Sequence, residues 1–194
     1  MGKRFLAGIW CLASFALLGC AHPQVKQEST AKEPPTQLEA FLAKKGMLVI
    51  KDFHELGSIN GKFGARISFD AIMLYEPGRE KESVKGLRVE LKEAGELERE
   101  NTSFLDMDEV ESLSKAMDYV AGLSAKWKGE GKEYSEAAFS TKGDFQIGFY
   151  QKGGDTGAFA SSGYVGKTTC FLSLNDLGSV KVIADKGLEW LRAR

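Results

Sequence analysis

The chain has 194 residues, with 26 Lys and Arg against 27 Asp and Glu, for a formal charge of −1. That balance lacks the basic excess on which nucleic-acid binding depends. A 43% apolar composition excludes a chain too polar to build a core, and with His54 the one histidine beyond residue 35 no multi-histidine zinc site is available there.

Lys3 and Arg4 open the chain, and residues 5–18 form an apolar run. It is too short to span a ~30 Å hydrocarbon core, which needs about 20 residues. A positive start, a short apolar run and a small residue before a cut site describe a removable export signal. The run ends in Leu17-Leu18-Gly19-Cys20, which resembles the lipobox of bacterial lipoproteins. The resemblance covers residues 1–20. It implies cleavage between Gly19 and Cys20, removal of residues 1–19, and acylation of Cys20 on its thiol and freed amine. Two or three acyl chains anchor a protein stably where one holds marginally. Ala21 stands where an aspartate signals inner-membrane retention in similar lipoproteins, so the resemblance favours the outer membrane over the inner. Losing Lys3 and Arg4 with the signal takes the formal charge from −1 to −3.

Residues 20–35 are polar, hold three of the chain's four prolines and show no periodicity. They read as the lipidated N-terminus and a flexible tether to one α+β domain over 36–194. Thr36-Gln37-Leu38-Glu39 matches a capping box and opens a short helix that Gly46 can stop. Residues 47–53 are β-like, and Asn60-Gly61 signals a hairpin. Phe63, Ala65, Ile67, Phe69 and Ala71 then alternate with polar residues in a half-buried strand. Residues 72–75 are apolar on both faces, which predicts cover on both sides. Glu76-Pro77-Gly78 turns the chain into a strand in which Leu87, Val89 and Leu91 alternate with charged residues.

Asp106 with Glu109 forms the next capping box, and Val110, Leu113, Met117, Val120 and Trp127 make one apolar stripe. Asp106, Asp108, Glu109 and Glu111 crowd that first turn, where the helix dipole favours negative charge. Strands follow over 134–140, 145–150, 158–165 and 168–172, and a last amphipathic helix over 174–191. The junction 104–113 aligns without gaps on 171–180, each a strand ending in Phe-Leu before a polar cap. This suggests a duplicated β-β-β-(β)-α unit over 47–128 and 132–192, similar in layout to whirly and PUR-like folds. The expected class is α+β, with antiparallel sheets and two amphipathic helices. The alternative is a single curved sheet or barrel with a C-terminal helix.

Little in the domain carries chemistry. Cys170 is its one thiol, so no intrachain disulfide is available. The strand pattern around Cys170 predicts burial. His54 is the domain's one histidine, and a Cys170–His54 nucleophile and base would require the two to meet. Gly166-Lys167-Thr168 ends like a phosphate-binding loop, but Ser161 replaces the first glycine and a strand follows. No motif calls for a metal or cofactor, and no catalytic residue can be named. The glycine-rich segment 143–166 offers Phe145, Phe149, Tyr150, Phe159 and Tyr164 as a candidate aromatic binding surface. The expectation is a membrane-anchored envelope lipoprotein that binds a partner protein or an envelope polymer. A small envelope hydrolase using acidic residues is the alternative.

Overall fold

The computed structural model describes residues 35–95 and 98–194, within one compact unit, Glu33–Arg194. Gly19, Cys20 and the tether up to residue 34 lie outside the described residues. Helix α1 (Gln37–Leu42) leads into β1 (Ile50–Asn60), β2 (Arg66–Tyr75), β3 (Val84–Glu93), β4 (Arg99–Asp106) and helix α2 (Met107–Trp127). Then come β5 (Lys132–Ser140), β6 (Gln146–Gly153), β7 (Asp155–Ser162), β8 (Thr168–Leu172) and helix α3 (Leu174–Arg192). The strands pair as two antiparallel four-stranded sheets, β1-β2-β3-β4 and β5-β6-β7-β8. The class is α+β, with the order β-β-β-β-α occurring twice. Two open sheets stand where the alternative reading expected one curved sheet or barrel.

Alternation decides what each strand buries. Ile67, Phe69 and Ala71 of β2, Leu87, Val89 and Leu91 of β3, and Leu105 of β4 turn one face inward. Ile147, Phe149, Ala158, Ala160, Cys170 and Leu172 do the same from the second sheet. Helices α2 and α3 pack on each other and on both sheets, adding Val110, Leu113, Leu177, Val180 and Leu188 to the same cluster. Each fully buried Leu, Ile or Phe contributes roughly 1.5–3 kcal/mol, so this shared core holds the two halves as one body. Inside it, the Ser103 and Ser162 hydroxyls satisfy each other at 2.6 Å, linking β4 to β7.

A second cluster explains why residues 72–75 are apolar on both faces. Leu38 and Phe41 of α1 lie on Ile72 and Leu74, which point away from the main core. The seat is close: a Cβ on Gly86 would come within 2.8 Å of the Leu38 side chain. Asp106 fixes the start of α1 by accepting hydrogen bonds from the Gln37 and Leu38 N–H groups at 2.8 and 3.2 Å. It also caps α2 with Glu109, as Ser173 does for α3 with Asp176. The two junctions therefore have the same cap geometry, but only Asp106 serves a second helix.

Two turns differ from expectation. Phe63 leaves the alternation: it lies in a 3-10 turn, 83% exposed, and the strand begins at Arg66. Asn60-Gly61 does not form a two-residue turn, because Gly61 has φ −86° and the positive φ angles fall at Phe63 and Gly64. The loop closes through the Gly61 N–H on the Ala65 carbonyl at 2.8 Å. The β5–β6 turn closes in the same way, Thr141 N–H on the Phe145 carbonyl at 2.9 Å.

Candidate binding site

Strand parity sorts the aromatic residues of segment 143–166. Phe145 and Phe149 face inward and are fully buried, so they belong to the core and not to a surface. Tyr150 and Phe159 have the opposite parity and lie on the outer face of the second sheet, while Tyr164 sits in the β7–β8 turn, 83% exposed. The outer face holds a concavity of about 370 Å³ that includes Tyr150 and Phe159 in its lining.

Cross-strand register arranges this face in rows. Gln146, Ser161 and Thr169 stand opposite one another on β6, β7 and β8 as a polar row. Two residues along the strands, Gly148, Phe159 and Phe171 make an aromatic row. A third row runs Glu136, Tyr150, Gly157. The glycine in that row has a steric cause, since a Cβ at Gly157 would lie 2.6 Å from the Tyr150 hydroxyl and 2.7 Å from its ring. Tyr150 therefore lies across β7 only because position 157 is bare. At the rim Phe171 is 42% exposed and meets Phe63 edge to face at 6.4 Å.

The polar groups of the face are mostly engaged by neighbours. Tyr134 donates to Glu136 at 2.7 Å, and this bond chiefly raises the phenol pKa. Lys167 donates to the Gln146 carbonyl oxygen at 2.8 Å, and the Gln146 amide donates to Ser140 at 3.0 Å. Ser161 is the exception. Its hydroxyl is buried and has no hydrogen-bond partner among the described residues, although the residue lines the concavity. Glu136 is the one carboxylate in that lining.

The outer face of the first sheet differs in kind. Arg88 pairs with Asp70 at 2.7 Å and covers the Phe53 ring at 4.9 Å, and Lys92 bridges Glu90 and Glu100 at 3.1 and 3.2 Å. Its remaining apolar residues lie under α1. The first face is largely covered and self-paired, with Phe53 exposed beside Arg88; the second presents Tyr150, Phe159 and Phe171 together.

The remaining sequence candidates are placed apart. Cys170 is in the core with its side chain against Gly61, and desolvation, followed by the charges of Asp176 and Glu93, pushes its thiol up to about 11. His54 is exposed and stacks on Trp190 at 5.1 Å, so burial and different neighbours separate the proposed nucleophile and base. Lys167 serves Gln146, and Thr168 is buried at the start of β8. In the acidic turn, Asp106 and Glu109 cap backbone N–H groups, Asp108 pairs with Lys142 at 3.0 Å and Glu111 with Arg192 at 2.7 Å. The Lys142 bond is also what lowers the Asp108 pKa. Among the described residues no cluster of three His, Cys, Asp or Glu could hold a metal ion, and no helix is long and apolar enough to cross a membrane.

Comparison with known proteins finds no matching family model, curated protein or solved structure. The likeness to whirly and PUR-like layouts thus rests on element order alone. Of the five aromatic residues of that segment, Tyr150 and Phe159 are in this lining. Glu136, Gln146, Ser161, Lys167, Thr169 and Phe171 were missed, and the only sequence signal for most of them was their parity with Tyr150 and Phe159.

Proposed function

We propose that this chain is a lipid-anchored, non-enzymatic binding protein of the bacterial cell envelope, most simply at the outer membrane. Its ligand docks on the outer face of the second sheet. The lipobox-like Leu17-Leu18-Gly19-Cys20 supports the address. The observation that carries the binding role is the concavity itself, which has Tyr150 and Phe159 in its lining on the outer face of the second sheet and Phe63 against Phe171 at its rim. The contrast with the first sheet adds weight, because there α1 and ion pairs occupy the corresponding face. A concave site with apolar walls and a few placed polar groups is the usual form of a ligand pocket.

The test is retention of the mature lipidated chain, in detergent micelles, on isolated cell-envelope fractions. The double variant Tyr150→Ala/Phe159→Ala should lose retention while its thermal melting stays cooperative. Equal retention of wild type and variant would remove the face from the binding role.

A further inference from the structure

We infer that the ligand of this face is a neutral sugar ring of a glycan, stacked by its C–H face on the aromatic row and hydrogen-bonded through its hydroxyls to the polar row. The inference rests on the binding role proposed above and names the chemistry of its ligand.

Three features of the face select that chemistry. The first is the alternation of rows. Phe159 and Phe171 are register partners, as are Ser161 and Thr169, and the two pairs lie two residues apart along the same strands. That separation is about 7 Å, so a ring resting on Phe159 brings its hydroxyl rim level with the polar row. A purely apolar ligand would leave Ser161 of that row without a partner, and a purely polar one would gain nothing from the rings.

The second feature is Ser161. A buried hydroxyl without a partner costs roughly 1–3 kcal/mol, and such groups in folded proteins call for an explanation. Ser161 is 1% exposed and lines the concavity, and among the described residues its hydroxyl has no hydrogen-bond partner. The oxygen is itself shielded from solvent, so a ligand hydroxyl reaches it through a rotation of the Ser161 side chain, and can then both donate to it and accept from it.

Charge is the third. The lining holds one anion, Glu136, and one cation, Lys167, bonded to the uncharged Tyr134 and Gln146 and not to each other. A charged ligand would meet one favourable and one unfavourable partner. A neutral polyol can donate to the free lone pairs of Glu136 and accept from the remaining N–H groups of Lys167. An extended peptide, by contrast, gains its main-chain bonds at a sheet edge, whereas this concavity lies on a face.

The experiment is calorimetric titration of the mature chain in detergent micelles with chitotetraose and with maltotetraose, using a neutral tetrapeptide and a tetragalacturonate as comparison probes. At least one neutral oligosaccharide should bind, and Phe159→Ala should weaken it by about tenfold or more, equivalent to about 1.4 kcal/mol. Ser161→Ala should weaken binding several-fold while leaving the unliganded melting temperature unchanged or higher. A serine with a purely structural role would give the opposite pair of results. Failure of both sugars to bind at 10 mM, a preference for the peptide or the acidic probe, or indifference to Phe159→Ala would overturn the inference. If envelope retention still depends on Tyr150 and Phe159 in that case, the face remains a binding face and only the sugar is wrong. If retention is also indifferent, both fail.

Discussion

Glu109 accepts the backbone N–H of Lys142 at 2.6 Å, fastening the β5–β6 turn to the first turn of α2. Its other oxygen accepts the Asp106 N–H at 3.1 Å, and the residue is 6% exposed. The turn can lie this close because position 143 is glycine: a Cβ there would come within 2.5 Å of the Phe104 carbonyl. Glu109→Ala strands both donors, and the loss of two charge-assisted bonds should cost roughly 3–6 kcal/mol. Urea unfolding measures it, and a cost below about 1 kcal/mol would show that water replaces both bonds freely.

Cys170 should be inert in the native protein. Its thiol is buried and its pKa is pushed up to about 11, chiefly by desolvation. Iodoacetamide at pH 8 should therefore label it only as fast as the protein unfolds, and rapid native labelling would contradict the packing. The shift also has a sign for stability. The folded-state pKa is raised, so the contribution is complete below the ordinary thiol value of 9.0 and is lost as pH rises toward about 11. Cys170→Ala should flatten that alkaline decline relative to wild type.

Gly157 tests the architecture of the face without touching a proposed ligand contact. Gly157→Ala places a methyl against the Tyr150 ring, whose hydroxyl and Cζ lie 2.6 and 2.7 Å from the new atom. The ring must swing out of the third row. Ligand binding should weaken severalfold while the fold survives, since the displaced group is a side chain at the sheet surface. Unaltered binding would mean that Tyr150 has no part in the site.

The lipid anchor can be checked directly. Cys20→Ser should abolish incorporation of radiolabelled palmitate and leave residues 1–19 attached. A labelled Cys20→Ser protein would refute the lipobox assignment.

The parts of the fold legible in the sequence are those whose cause is local. A capping box spans four residues, so Thr36–Glu39, Asp106–Glu109 and the start of α3 could each be placed from the chain alone. Alternation likewise predicted the inward faces of β2 and β3. Phe63 was misread because the same alternation happens to continue into a turn, where Phe63 has φ 59°. The binding face was half legible. Aromatic density pointed to the segment, but grouping residues by segment mixed Phe145 and Phe149 of the core with Tyr150 and Phe159 of the surface. The polar row could not be read at all. Gln146, Ser161 and Thr169 meet only through the registers of β6, β7 and β8, and register is a property of pairing across the sheet.

Asp106 also bears on mechanics. Any tension arriving from a membrane anchor through the residues before Pro35 enters the described structure at α1, not at β1. The first links to yield under that load are two hydrogen bonds to Asp106 and the seating of Leu38 and Phe41 on Ile72 and Leu74. These contacts form a cluster separate from the main core. Pulling can peel α1 away, releasing its six helical residues and the loop that follows, before the main core opens. In a chain anchored as proposed, α1 would be a shock absorber between anchor and sheets.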